Sequence, residues 1–364
     1  MKVGIVGCGK ISDIYLKNCH QRFPGMQVAA VADLVTEYAQ AKADQYAIPK
    51  VLPVDELIAD PEVEAVLNLT IPAAHAEICE KTLLAGKHSF TEKPLAIDFQ
   101  DGKRLVDLAA EKGVRLGSAP DTFLGGGLQT VRKLLDDGWI GSPVAATAFM
   151  TGRGPEGWHP NPHFFYQRGA GPLFDMGPYY ITALVTLLGP VRRLSAATRI
   201  TFKERVATSK ERYGERIPVE VPTHVAGTLE FASGAIGTLV VSFDVWKSRL
   251  PRIDLFGSLG SIGVPDPNTF WGPVQLFRPG ADDWAEVPLS HGYAENSRGV
   301  GLLDMVRAAE SGRPHRANGE VALHVLEVMH GLLESGETGA FYDMTTTCER
   351  PAALPVGLND GELD

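Results

Sequence analysis

The first third of the chain alternates short apolar runs with amphipathic stretches. Val3–Val6, Val28–Ala32, Ala65–Thr70, His88–Thr91 and Val114–Ser118 are each short and apolar, the pattern of strands buried on both faces. Helical spacing separates them. Leu105, Leu108 and Ala109 share one face, with Asp98 placed to cap that helix and Gly113 to stop it. Another helix begins after Pro72 and ends at Gly86. Strands alternating with helices of this length predict right-handed crossovers and a parallel, doubly wound α/β sheet.

The pattern changes at Ala119-Pro120, which sets predicted domains at 1–120 and 121–364. After the glycine-rich patch Gly125–Gly127 and a helix ending near Gly138, longer runs appear. Thr223–Phe231 and Ala235–Phe243 flank Ala232-Ser233-Gly234, a hairpin signal. With Val144–Met150 and Val191–Ile200 they predict a large, mostly antiparallel sheet, closed by helices at Leu302–Glu310 and Val321–Leu333. One face of that sheet needs covering by helices, by the first domain or by another subunit. A homodimer or homotetramer joined there is expected. The proline- and acid-rich tail from Glu349 reads as a loose arm.

At 364 residues two domains are expected. The net charge of -10 argues against nucleic acid or an anionic membrane as partner. No apolar run is long enough to span a bilayer, and Met1-Lys2 enters a strand directly, so a cytoplasmic protein is expected. Cys8, Cys19, Cys79 and Cys348 lack metal-ligand spacing, and no metal is predicted.

The first strand runs into Gly7-Cys8-Gly9-Lys10-Ile11-Ser12. Gly7 allows a tight turn, and Gly9 allows the backbone to approach a pyrophosphate at a helix amino-terminus that begins with Lys10 and Ile11. Ser12 replaces the third glycine of the usual fingerprint. Asp33 ends the second strand, where a carboxylate can accept both ribose hydroxyls and repel a 2′-phosphate. The predicted cofactor is therefore NAD, although Asp33 could instead cap the following helix.

The segment Thr70-Ile71-Pro72-Ala73-Ala74-His75-Ala76-Glu77, followed by Glu92-Lys93-Pro94, resembles the glucose–fructose oxidoreductase and inositol dehydrogenase family. The resemblance implies an amino-terminal Rossmann domain, a carboxy-terminal α/β domain with a large open sheet, and oxidoreductase activity with NAD. By it, Thr70, Pro72 and His75 border the nicotinamide end, and Lys93 touches both cofactor and substrate. Glu92 would orient the Lys93 ammonium, and burial beside a cationic ring would lower its pKa. The family's second signature, a carboxylate with a histidine four residues on, reads here as Asp175 and Tyr179. A phenol in the histidine position needs a cationic neighbour such as Lys93 to act near neutrality. Pro178 starts a helix, so a shared face for Asp175 and Tyr179 is approximate.

Before Asp175 lies a proline-rich loop carrying Trp158, His159, His163 and Arg168, suited to stacking on a sugar and bonding its hydroxyls. His159 or His163 could supply the missing imidazole, or each could be structural. Asp121, just past the domain boundary, joins these as a candidate substrate ligand. His291, Tyr293, Asn296 and Arg298 form a later polar cluster that either closes over the substrate or is simply solvated. Three functions follow: an NAD-dependent dehydrogenase of a sugar, polyol or glycoside, an NAD-dependent glycoside hydrolase that oxidises and re-reduces its substrate, or a silent NAD-binding regulator.

Overall fold

Six short strands, β1 (Lys2–Val6), β2 (Gln27–Ala32), β3 (Lys50–Val51), β4 (Ala65–Asn68), β5 (His88–Thr91) and β6 (Leu116–Ser118), lie in the order β3-β2-β1-β4-β5-β6. Every pair is parallel. Helices α1 (Ser12–Gln21), α2 (Thr36–Tyr46), α3 (Val54–Ala59), α4 (Pro72–Leu84) and α5 (Phe99–Lys112) make the crossovers. The computed structural model describes all 364 residues. β3 escapes a sequence reading because two residues carry no period. β4 stops at Asn68, whose side chain accepts the Thr70 N–H at 3.2 Å and its hydroxyl at 2.6 Å, turning the chain.

Asp98 occupies the N-cap position of α5, but its side chain caps nothing. Arg168, arriving from the proline-rich loop, holds that carboxylate at 2.5 Å instead. Gly113 ends α5 at φ 66°, as its position in the sequence predicts.

After α6 (Gly126–Asp136) the second sheet begins with β7 (Pro143–Thr151). Two helices, α7 (Gly171–Asp175) and α8 (Gly177–Leu188), precede β8 (Val191–Arg199) and a small ribbon, β9 (Glu204–Val206) with β10 (Arg216–Pro218). Then come β11 (His224–Phe231), β12 (Ile236–Ser242), β13 (Ile253–Gly257), β14 (Gly260–Val264), β15 (Val274–Phe277) and β16 (Ala285–Val287). Helices α9 (Val300–Ser311) and α10 (Gly319–Thr338) lead to β17 (Tyr342–Asp343). The nine-stranded order is β16-β15-β14-β13-β7-β12-β11-β8-β17, antiparallel except where β7 meets β12. β11 and β12 form the expected hairpin, paired from His224–Ser242 to Glu230–Ile236.

Alternation along these strands puts Val225, Leu229, Leu239, Val241 and Leu255 into the core, where α8 and α10 pack. The opposite face presents Phe149, Thr228, Thr238, Val240 and Asp254, all half-buried or exposed. Helices of this chain thus cover one face only.

The tail is not a loose arm. Leu354 and Leu363 are buried, and basic side chains grip its acids: Arg22 bonds Asp360 at 2.7 Å, and Arg313 bonds Asp364 at 2.9 Å. Acidic composition misled here because the complementary arginines are distant in sequence. No helix is long and apolar enough to cross a membrane.

Candidate active site

The carboxyl ends of β1, β2, β4 and β5 meet around the point where strand order reverses, between β1 and β4. Open α/β sheets bind ligands at such a crevice. The turn after β1 is built for a close approach. Gly7 has φ 100°, and a Cβ there would lie 2.6 Å from the Leu69 carbonyl. A Cβ on Gly9 would meet nothing within 4 Å, so that side of the turn is open. Ser12, in place of the third glycine, bonds back to the Gly9 carbonyl at 2.6 Å and tightens the turn. No side chain caps the amino-terminus of α1, and Lys10 and Ile11 are exposed beside it. An open backbone and a free helix amino-terminus fit a pyrophosphate.

Asp33 accepts the Cys8 N–H at 2.7 Å and the Val35 N–H at 2.9 Å, one on each oxygen. It therefore does both things the sequence allows. Each oxygen keeps a further lone pair, enough for two ribose hydroxyls. The Cys8 thiol is pushed up to about 12, first by burial and then by Asp33, so it is no nucleophile.

Thr70 and Pro72 sit at the turn into α4, with Pro72 at its first position. His75 faces inward. Its Nδ1 lies 2.7 Å from the Pro94 carbonyl and its Nε2 3.1 Å from the Thr70 carbonyl; a neutral ring has one N–H and donates to one of the two, packing against the other. Burial holds its pKa below the ordinary value. His75 shapes this border without reaching out of it.

Lys93 follows β5, and its Nζ donates to the Asp175 carboxylate at 3.1 Å and the Asp175 carbonyl at 2.7 Å. Glu92 does not orient that ammonium directly. Its carboxylate accepts from the Tyr15 hydroxyl at 2.7 Å and from the Lys93 backbone N–H at 3.1 Å. Burial alone would lower the Lys93 pKa, but Asp175 foremost, with Glu92, outweighs it and holds the value above that of a free lysine. The downward shift expected from sequence is absent from the protein by itself.

Asp175 ends α7 and Tyr179 lies in the first turn of α8, with a break at Met176, so they share no continuous helical face. They still converge, because the Lys93 Nζ stands 5.3 Å from the centre of the Tyr179 ring. Burial raises the Tyr179 pKa, although Lys93 and Arg298 both pull it down. The phenol keeps its proton at neutral pH.

The loop histidines are elsewhere. His159 packs edge-on against Trp158, Phe164 and Phe165, and its Nδ1 accepts the Asn161 N–H. His163 pairs with Glu215 at 3.1 Å. Trp158 is 67% exposed, and Arg168 serves Asp98. The loop is fastened from below by a buried cluster in which Arg205 bonds Glu156 and Asp244 at 2.8 Å each. Neither imidazole joins Lys93. Asp121 is also unavailable to substrate: it is buried, and one oxygen accepts the Gly299 and Gly301 N–H groups at 2.7 and 3.0 Å.

Arg298 was legible only as part of a polar cluster with solvation as the plain reading. That cluster is largely interior, since His291 and Tyr293 are buried and Arg298 is half-buried and bonded to Asn268 at 2.7 Å.

The family model described as "Oxidoreductase family, NAD-binding Rossmann fold" matches residues 1–119, and the "GFO/IDH/MocA C-terminal domain" matches residues 128–263. An inositol 2-dehydrogenase of Salmonella typhimurium is 34% identical over 149 residues, which is 40% of this chain and 44% of that one. The match thus spans less than half of that relative. A D-xylose dehydrogenase of Paenarthrobacter nicotinovorans is 25% identical over 288 residues, 72% of each chain. Levoglucosan dehydrogenase in complex with NADH superposes with a TM-score of 0.81 at 19% identity, over 95% of this chain and 99% of that one, a likeness of fold. The chain belongs to the Gfo/Idh/MocA family of oxidoreductases, with residues 1–119 as its NAD-binding Rossmann domain.

Proposed function

We propose that the protein is an NAD-dependent dehydrogenase acting on a secondary hydroxyl of a sugar, polyol or glycoside, with Lys93 at the centre of proton transfer. The observation that carries this reading is the Lys93–Asp175 pair at the carboxyl edge of β5, beside a glycine turn left open on one side. The names of the relatives, which specify inositol, D-xylose and levoglucosan, support the substrate class. Lys93 and Arg298 face Asp175 and Glu92 in the site, so its charges nearly cancel, which suits a neutral polyhydroxyl ligand.

NAD, held by the glycine turn and Asp33, supplies the hydride acceptor. The chain's own residues handle the oxygen. A neutral Lys93 amine would take the hydroxyl proton as the hydride leaves, ending as the ammonium that Asp175 holds, and that proton is then released to solvent. In the resting protein its ammonium is fully charged, so a base role needs a further positive charge nearby to pull the pKa down. Tyr179, which keeps its proton, acts as a donor rather than a base.

One observation favours a second reading. A protonated Tyr179 beside Lys93 is also what a leaving aglycone needs, as in redox-neutral glycoside hydrolysis. The two separate on incubating NAD-loaded protein with a panel of free sugars, polyols and glycosides. Accumulating NADH supports the dehydrogenase. Aglycone release without NADH supports the hydrolase, and tight NAD binding with neither product leaves only a silent regulator.

A further inference from the structure

One buried hydrogen bond ties helix α1 to the turn that carries Lys93. Tyr15 lies one turn into α1, the helix whose amino-terminus opens onto the cofactor crevice, and it is wholly buried. Its hydroxyl donates to Glu92 Oε1 at 2.7 Å, across 77 residues of sequence. The other carboxylate oxygen, Oε2, accepts the Lys93 backbone N–H at 3.1 Å. In the sheet, β4 stands between β1, which leads into α1, and β5, which leads into Lys93. Tyr15 therefore joins elements from either side of β4, the cofactor side of the crevice and the turn that bears the ammonium.

The bond holds the turn from a third direction. The Glu92 N–H bonds the Asn68 carbonyl at 2.9 Å, and the Pro94 carbonyl lies 2.7 Å from His75 Nδ1, so β4 and α4 meet the backbone of Glu92-Lys93-Pro94. The Glu92 side chain is engaged by Tyr15 and by the turn's own N–H. A hydroxyl with no exposure and a carboxylate 8% exposed would each be costly to bury alone, and each supplies what the other lacks. A carboxylate only accepts, so the one Tyr15 proton lies in this bond. Burial, and then Glu92, hold the phenol's pKa well above its ordinary value, so Tyr15 keeps that proton. One turn further along α1, Asn18 donates to the Asn296 and Arg298 carbonyls at 2.9 and 2.8 Å. The same helix thus also holds a loop of the second domain.

We propose that Tyr15 is a positioning residue that, through Glu92, sets where Lys93 stands relative to a cofactor whose pyrophosphate rests on α1. One helix then fixes both partners of the reaction, and a misplacement of about 1 Å can cost about a hundredfold in rate. Wholly buried, Tyr15 itself touches neither substrate nor cofactor. The inference rests on the dehydrogenase reading for the rate it affects, but not for the coupling of Tyr15 to the Lys93 turn.

The test combines kinetics with a signal that needs no turnover. Tyr15→Phe removes only the hydroxyl and keeps the ring in the core. On whichever panel substrate is oxidised it should lower kcat at least about tenfold, while NAD affinity stays within about threefold because the glycine turn and Asp33 are untouched. Adding Tyr15→Phe to Glu92→Ala should cost no more than about a further threefold, since the group it acts through is already gone. Separately, protein labelled with nitrogen-15 at the lysine Nζ gives one ammonium resonance that Lys93→Ala removes and so assigns. Tyr15→Phe should move that resonance, although Tyr15 bonds no atom of the Lys93 side chain. A lower melting temperature with unchanged kcat is what a purely structural tyrosine gives, and it would overturn the proposal. So would an unmoved Lys93 resonance, additive losses with Glu92→Ala, or an NAD affinity that falls in step with kcat. If no panel substrate is oxidised, the dehydrogenase reading falls and the Lys93 resonance alone decides the coupling.

Discussion

Two side chains carry most of the functional argument, and each answers to a direct measurement. Lys93→Ala removes the only ammonium bonded to Asp175 and should lower turnover by about 10²–10⁴-fold, the usual contribution of a positioned acid or base. NAD binding and the melting temperature should survive, because Lys93 lies after β5 and the glycine turn does not depend on it. Retention of more than about a tenth of the activity would remove Lys93 from the centre of the mechanism. Asp33 should set cofactor choice. Its carboxylate would repel a 2′-phosphate, so NAD should bind about ten- to hundredfold tighter than NADP, and Asp33→Ser should narrow that gap. Titration with both cofactors checks this, and equal affinities in the parent protein would reduce Asp33 to its bonds with Cys8 and Val35. These residues were legible in the sequence because each sits beside a local signal: a glycine turn, a strand end, or a proline. Arg298 was not, because its partner Asn268 comes from another part of the chain and no short motif links them.

Elements show the same division between local and remote causes. Strands β1, β2 and β5 and helices α4 and α5 follow from apolar runs, Pro72 and Gly113, whereas β3 is too short to announce itself. The bonding of Asp98 and Asp121 was misjudged for one reason: a carboxylate's partner depends on tertiary placement. Asp98 looks like a cap and serves Arg168, while Asp121 looks open to substrate and caps α9 from another element. That buried cap has a measurable pH signature. Burial is the largest cause raising its pKa from 3.8 to about 6, against the opposing pull of the Gly301 N–H and Arg298. Between those values the native state binds more protons than the unfolded chain, so this group's contribution to stability falls as pH rises from about 4 to about 6 and stays low above. A shift of that size corresponds to about 3 kcal/mol. Asp121→Asn keeps an accepting oxygen for Gly299 and Gly301 but carries no charge at any pH. Its melting temperature relative to the parent should therefore climb by a few degrees between pH 4 and pH 7.5. A difference that stays flat across that window would show that the Asp121 carboxyl ionises as freely in the folded protein as in the unfolded chain.

At the scale of the molecule, the unanswered face of the nine-stranded sheet is the feature that reaches beyond a single chain. Helices α8 and α10 cover one side, and the other presents a broad surface of small, apolar and hydroxyl-bearing side chains, with Thr238 and Val240 on β12 beside Thr147 and Phe149 on β7. The same face carries Arg193, paired with Glu230, and Asp254, so an open sheet of apolar and hydroxyl side chains edged by charges is offered to a copy of itself. We therefore expect a homodimer or homotetramer joined through this face, built on a two-fold arrangement in which each sheet covers the other. Light scattering at micromolar concentration should give a mass that is a multiple of the 39.2 kDa chain. Thr238→Arg places a charge at the middle of the face, where it has solvent in the lone chain and no partner in the assembly, so it should shift the mass toward a single chain while the fold and NAD binding persist. A parent protein already at 39.2 kDa would refute the assembly, leaving the face as an exposed sheet that threonine and Asp254 keep wetted. An oligomer that Thr238→Arg leaves intact would place the contact elsewhere on the molecule.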